Sequence, residues 1–346
     1  MRIAFLLHEV KHLAEQDYAT STTLHLVAAA LRGGHRTHLL TGRALTALDA
    51  RRYALALRVT GAPDSPPEQW FSALPTQEEI LDLFELDCLV LRLPPPLDRQ
   101  LFGLLEALSG RVLLVNEPRG ILVHQEKSHI LPYAAAGLAP RTLVSRDRDE
   151  IVRFIAQDLE GPDFILKPLV GKMGEGVLRL RRSGDHNLLA LLDHYIGTHT
   201  KKWTDHVLVQ QALDATEGDV RVLVLEGRPI GAMRRVPAAG DHRANIHAGA
   251  THHRHRLDES ELDLIRAVAP DLRRHGLFLA GLDLLGGKLL EINACSPGGI
   301  PRINGLDGVR LEETVLEAVV RTVQGVPPRL PSSNGAERDP SERSSS

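Results

Sequence analysis

The run from Gly281 to Asn293 is apolar on both sides of the Gly286-Gly287 pair, yet it carries two carboxylates, Asp283 and Glu291. Short leucine- and isoleucine-rich runs around glycines read as two strands of a hairpin. A buried carboxylate is costly unless it is ion-paired or holds a metal. Register decides between these uses. A two-residue turn at Gly286-Gly287 pairs Asp283 with Leu290 and puts the carboxylates on opposite faces. A three-residue turn through Lys288 pairs Asp283 with Glu291, and period two then brings Asn293 to the same face. Metal binding therefore predicts the longer turn, and oxygen-only ligands suit Mg²⁺. The alternative is the rim of a surface hairpin.

A second segment runs from the apolar Ile165-Leu166 through Lys167-Pro168 to Gly171, Gly174 and Gly176. Glycines let backbone N–H groups approach phosphate oxygens, and a lysine at a strand end adds a point charge. The GxxGxG spacing is neither a Walker A loop nor a dinucleotide fingerprint. A plain hairpin loop is the alternative reading. Between the two segments lie Glu217-Gly218-Asp219 with Arg221, Arg234-Arg235 with Pro237, and Arg243 with Asn245. Arginines near strand ends suit bidentate binding of carboxylates and phosphates, although each taken alone reads as a solvated surface group.

Residues 1 to 115 open as a βαβ unit. A strand is expected over 2–7, a helix over 21–32 that stops at Gly33-Gly34, and a strand over 36–40. Further strands over 87–93 and 111–115 flank a helix over 99–108, which predicts an open, mostly parallel sheet. After residue 116 helices are expected over 126–137, 147–159, 190–196, 259–274 and 311–323. The strands expected there, over 142–144, 163–169, 207–211, 220–225, 229–236, 278–284 and 288–293, make this part antiparallel α+β.

Taken in order, these residues resemble bacterial glutathione synthetase and its relatives in the ATP-grasp superfamily of carboxylate–amine ligases. The resemblance runs from Asn116-Glu117-Pro118 and Glu126-Lys127 through Lys167-Pro168-Leu169, Gly218-Asp219 and Arg221, Arg235 and Pro237, Arg243 and Asn245, and Gly281-Leu282-Asp283 to Glu291-Ile292-Asn293 and Ser296-Pro297. The first third matches faintly, at Arg92 with Pro94-Pro95 and at Trp70-Phe71. The resemblance implies an N-terminal α/β domain over 1–118, a lid subdomain with the glycine loop over 119–205, a C-terminal subdomain with the metal site over 206–326, and a tail over 327–346.

It also implies site roles. Lys127 and Lys167 look like the lysines that hold ATP phosphates, under a loop containing Gly171, Gly174 and Gly176. Gln210, Gln211 and Leu213 resemble the segment that clasps adenine, and Glu217 or Asp219 the acidic contact near ribose. Asp283, Glu291 and Asn293 resemble the Mg²⁺ (or Mn²⁺) ligands. Arg221 and Arg235, with Lys167, stand where the family sets positive charge against transferring phosphoryl and acyl oxygens. Arg92, Arg243, Asn245, Ser296, Gly298 and Gly299 fall on the substrate side. Two departures occur there: Cys295-Ser296-Pro297 is followed by Gly298-Gly299 where glutathione-making members typically read Thr-Ser-Pro-Thr after the asparagine, and Gly249-Ala250 replaces a glycine pair.

The activity implied is ADP-forming ligation of a peptide carboxylate to an amino acid, glutathione synthesis being the first reading. Rivals are the same chemistry on another amino acid or peptide, a non-catalytic ATP-binding module, and a sugar- or lipid-binding α/β protein. Neutralising Asp283 or Glu291 is expected to leave the fold intact or firmer, through relief of carboxylate repulsion.

Composition narrows the partners. With 41 basic and 44 acidic residues the chain is no strongly basic nucleic-acid binder, and 7 Phe, 4 Tyr and 2 Trp in 346 residues give little stacking surface for single-stranded nucleic acid. The N-terminal apolar run Ile3–Leu7 is about a third of a membrane span and is followed at once by His8 and Glu9, so a cytoplasmic, non-membrane protein is expected. A homo-oligomer is left open. Cys88 and Cys295, far apart, read as small buried hydrophobes. His247, His252, His253 and His255 have no adjacent carboxylate or cysteine and read as a flexible solvated loop rather than a zinc or nickel site. The Pro/Ser-rich tail is expected to be disordered. Truncation after Val326 should leave melting temperature and activity unchanged; a clear loss of either would show that the tail docks.

Overall fold

A computed structural model describes residues 1–10, 15–60, 74, 76–170, 176–183, 187–196, 205–237 and 251–325. The opening βαβ unit has the expected form. Strand β1 (Arg2–Leu7) runs parallel to β2 (Arg36–Thr41), and helix α1 (Thr22–Arg32) connects them. Ser21 caps α1, its Oγ accepting Leu24 N–H at 3.3 Å, and Gly33 ends it. β6 (Cys88–Arg92) and β7 (Leu113–Val115) extend the parallel sheet on the other side of β1, with α2 (Arg99–Leu105) packed nearby. Beyond β2, three strands absent from the sequence reading make the sheet mixed. These are β3 (Leu45–Leu48), β4 (Arg51–Val59) and β5 (Thr76–Asp82), all paired antiparallel.

The chain then enters α3 (Pro118–His124), a 3-10 turn over Lys127–Ile130 and the short α4 (Leu131–Ala135), where a single helix over 126–137 is expected. A four-stranded antiparallel sheet follows in the order β10 (Leu178–Arg181), β9 (Asp163–Pro168), β11 (Val207–Gln211), β8 (Thr142–Ser145). Helices α5 (Arg148–Gln157) and α6 (Leu188–Ile196) bury Ile151, Ile155, Leu192 and Ile196 against it. β11 lies past residue 205, the boundary expected from sequence, and still belongs to this sheet.

The third sheet is five-stranded and antiparallel: β14 (Thr251–Arg254), β13 (Arg228–Val236), β12 (Asp219–Leu225), β15 (Leu279–Leu285), β16 (Lys288–Asn293). α7 (Glu259–Arg274) covers one face through Leu264, Ile265, Val268 and Leu272. Its start is secured by an Asp258–Glu261 capping box, and acidic residues in its first turn and Arg273 and Arg274 in its last complement the dipole. The other face shares a core with β1, α1, α8 (Ile300–Asp307) and α9 (Leu311–Val323). The first and third sheets are thus joined through one hydrophobic cluster.

The histidine stretch departs from its reading as a loop. Residues 251–254 form the edge strand β14, and His255 Nε2 meets the Glu261 carboxylate at 2.8 Å. Glu261, six residues downstream in the first turn of α7, is the partner that local spacing did not reveal. Cys88 is buried and Cys295 half-buried, both free thiols. No helix among the described residues is long and apolar enough to cross a membrane.

Candidate active site

The β15–β16 hairpin pairs Asp283 with Glu291 and Gly281 with Asn293, the register metal binding calls for. The connecting turn is nevertheless the short one. Leu285 pairs with Lys288 across Gly286-Gly287, and both glycines have the positive φ that two-residue hairpin turns demand. A bulge shifts the register between Asp283 and Leu284, leaving Leu290 as the extra residue. The longer turn expected from sequence is replaced by a tight turn plus a bulge, which restores the same face.

Asp283 is only 6% exposed and is surrounded by donors. Arg221, its neighbour on β12, binds it through Nε and through Nη2 at 3.0 Å, Arg235 Nη2 lies 3.1 Å from its Oδ1, and Asn293 Nδ2 donates to Oδ2 at 3.2 Å. Burial pushes this carboxyl up, but the Arg221 and Arg235 guanidinium groups outweigh it and hold the group well below the usual carboxylate range. Arg235 also grips Asp219 with two bonds of 2.6 and 2.7 Å. The same backbone reach requires Gly218: a Cβ there would sit 2.0 Å from Arg235 O, and its φ is +79°.

Two lysines approach the hairpin, Lys167 from the four-stranded sheet and Lys127 from the 3-10 turn before it. Lys167 on β9 is buried and donates to Gln210 Oε1 at 3.1 Å, while Gln210 donates on to Thr142 Oγ1 at 2.9 Å. Burial lowers the Lys167 ammonium to about 8, opposed by Glu291 and Asp283 and reinforced by Lys127. Lys127 Nζ lies 3.6 Å from Glu291 Oε1. Its turn is pinned twice: Lys127 N–H donates to Leu169 O at 2.9 Å, and Ile292 N–H donates to His129 Nε2 at 3.3 Å. His129 gave no signal in the sequence, because its partner is a backbone group 163 residues away.

Of the other expected residues, Gln211 ends β11 and Leu213 lies against the Gly286 turn. Glu217 is exposed, 3.8 Å from Arg234, whereas Asp219 is committed to Arg235. Arg92 is buried, donating to Thr23 Oγ1 at 3.0 Å and Pro297 O at 3.1 Å, and burial lowers it to about 10. Arg221 Nη1 reaches Gly298 O at 3.4 Å, and Thr22 Oγ1 accepts from Gly299 N–H and Ile300 N–H. Ser296 is held at φ 51°, with its Oγ buried and unpartnered among the described residues. The structure therefore gathers Arg92, Arg221, Ser296, Gly298 and Gly299 around one segment. Gly171, Gly174, Arg243 and Asn245 lie outside the described residues; Gly176 is within them, its carbonyl accepting from Tyr195 Oη.

Asn116 opens the Asn116-Glu117-Pro118 motif. Its buried amide donates to Leu279 O and Ala294 O at 2.7 and 2.8 Å and accepts from Leu279 N–H at 2.8 Å, stapling the end of the first domain to β15.

The family model of the prokaryotic glutathione synthetase N-terminal domain matches residues 1–121, and that of its ATP-grasp domain matches residues 126–308. The chain belongs to this family. The glutathione synthetase of Nostoc sp. is 32% identical over 334 residues, 94% of this chain and 99% of the relative. That of Brucella melitensis is 34% identical over 242 residues, 69% of this chain and 74% of the relative. Among solved structures, a D-cycloserine synthetase superposes with a TM-score of 0.60 at 16% identity, covering 92% of this chain and 99% of that one. A D-alanine–D-alanine ligase from Bacillus anthracis complexed with ATP does so at 0.58 and 13%, covering 94% and 98%. These structures share the fold. This member of the glutathione synthetase family is an ADP-forming carbon–nitrogen ligase of ATP-grasp type.

Proposed function

We propose that this ligase makes glutathione, joining γ-glutamylcysteine to glycine at the expense of ATP. The observation that carries the reading is the convergence of Asp283, Glu291 and Asn293 with Lys127 and Lys167 in a chain matched to the family along 1–121 and 126–308. In this reading the two lysines bind the phosphates, with backbone groups of the glycine-rich segment containing Gly171, Gly174 and Gly176. Gln210, Gln211 and Leu213 flank the adenine. Glu217, the carboxylate left open to solvent, takes the ribose in preference to Asp219. Two carboxylates and an amide oxygen on one face make a hard-ion donor set, and an ion there would displace part of the Arg221, Arg235 and Asn293 hydrogen bonding that Asp283 now accepts. Bound there, Mg²⁺, with Mn²⁺ as a substitute, would offset charge on the transferring phosphoryl group.

The peptide carboxylate attacks the γ-phosphorus, ADP leaves, the amine attacks the acyl phosphate, and phosphate departs. The chain's contribution is position and charge. Lys167 faces the phosphoryl oxygens, and Arg221 and Arg235 stabilise the acyl oxyanion. Incubation with Mg-ATP, γ-glutamylcysteine and an amino-acid panel, read as phosphate release and product mass, tests this. Phosphate release with no peptide product from γ-glutamylcysteine would overturn it.

A second reading, the same chemistry with a wider set of amines, is favoured by Gly298. A Cβ built there meets nothing within 4 Å, so the segment leaves open space that threonine would fill. A site without a hydroxyl donor discriminates weakly. Wild type is expected to use alanine, serine or β-alanine beside glycine, and Gly298→Thr to narrow that set. Strict glycine use by the wild type would exclude this second reading.

A further inference from the structure

Away from the hairpin, three side chains from two elements converge. His124, the last residue of α3, Asp271, in the last turn of α7, and His275, its C-cap, each offer one ligand atom, and the three atoms lie within 4.8 Å of one another. His124 Nε2 is 3.9 Å from Asp271 Oδ2, and His275 Nδ1 is 3.4 Å from Oδ1. The first separation is too long for a hydrogen bond. Each is near the edge, about 3.4 Å, of a tetrahedron whose centre binds its corners at about 2.1 Å, but they run to different oxygens of Asp271, so the carboxylate would turn to present one oxygen to a shared ion.

The groups behind the cluster suit ligation. His124 Nδ1 sits 2.9 Å from Gly120 O, the arrangement that places the proton on Nδ1 and leaves the Nε2 lone pair facing Asp271. Burial also lowers the His124 pKa, which favours the neutral, ligating form. Tyr133 Oη donates to Asp271 Oδ2 at 2.5 Å and fixes the carboxylate. The α7 C-terminus favours a cation, while Arg274, paired with Asp271, opposes one. His275 Nδ1 would exchange its 3.1 Å contact with Asp271 O for the metal. His129, whose ring lies 5.1 Å from that of His124, has both nitrogens engaged and is not a ligand. Asp271 and His275 are about a quarter exposed, 23% and 26%, which leaves an entry path and room for a water as fourth ligand.

We propose that His124, Asp271 and His275 form a site for a divalent transition-metal ion of the zinc class, separate from the Asp283–Glu291 face. Two imidazoles select zinc, cobalt or nickel over Mg²⁺. The ion would clamp α3 to the end of α7, where the backbones already approach so closely that a Cβ on Gly120 would lie 2.0 Å from His275 O.

The test uses the full chain without nucleotide, titrated with Co²⁺ and with Zn²⁺, against His124→Gln and His275→Gln. Expected are visible Co²⁺ d–d bands displaced by Zn²⁺, and a melting-temperature rise of about 5 °C at a hundredfold excess over Kd. Either variant should lose the bands and bind at least tenfold more weakly. The other histidines and the hairpin carboxylates remain in both variants. Equal metal binding by wild type and variants would therefore overturn the proposal, as would the absence of any band or shift in wild type. If the buried His124→Gln fails to fold, the more exposed His275→Gln decides alone.

Discussion

Asp283→Asn is expected to reduce ligase turnover at least a hundredfold and also to lower the melting temperature by on the order of 10 °C. The first effect follows from losing a metal-facing charge. The second follows from the two guanidinium groups: with Asp283 neutral, Arg221 loses its carboxylate partner in a buried setting and Arg235 keeps only Asp219, a loss of about 3–5 kcal/mol. Glu291→Gln should cost comparable activity with almost no change in melting, because Glu291 is 35% exposed and its 3.6 Å pair with Lys127 is weak. Relief of carboxylate repulsion, the expectation from sequence, is reversed at Asp283 by the arginines that fold against it. Parallel assays of turnover and thermal melting separate the two variants; unchanged melting in Asp283→Asn would refute the ion-pair account. The sign with pH is fixed as well. A carboxyl held low in the folded state contributes stability above its unfolded pKa, about 3.9, and loses it as pH falls below that. Asp283→Asn should therefore flatten the acid limb of the stability curve.

Lys167→Ala is expected to weaken ATP binding about tenfold to a hundredfold in calorimetry, as removal of one or two charge-assisted bonds of about 1.5–3 kcal/mol requires. Lys127→Ala should weaken it less, since Lys127 is the more exposed of the two and its charge already faces Glu291. The lowered pKa of Lys167 adds a signature. Above about pH 8 the free protein presents a neutral amine, so wild-type ATP affinity should fall as pH rises through 8 to 9, with proton uptake on binding. Lys167→Ala should lose that dependence. A wild-type affinity that stays flat across this range, or unchanged affinity in both variants, would remove Lys167 from the phosphate site.

Much of this protein was legible in residue order alone. The strand at 288–293 and the helices at 259–274 and 311–323 follow from apolar periodicity and capping within one segment, and the structure has them at the expected bounds. The edge strands β3, β5, β10 and β14 were not legible, because edge strands carry mixed polar patterns and exist only where a neighbour offers hydrogen bonds; β4, which pairs with β2, β3 and β5, was missed with them. The chemistry-bearing residue types were also legible, since carboxylates and lysines inside apolar runs demand a partner whatever the fold.

Their partners were decided only in three dimensions. Asp283 faces Glu291 through a bulge rather than a longer turn, since local turn rules count residues and cannot foresee a register shift within the ladder. Asp219 turned inward to Arg235 while Glu217 stayed in solvent, although the two are one residue apart from Gly218 in sequence. Asn116 and His129 form hydrogen bonds, and His124 meets Asp271, across more than a hundred residues. Sequence alone determined which groups had to be neutralised; tertiary packing decided by what, because charges and hydrogen bonds act through distance in space and leave no periodicity along the chain.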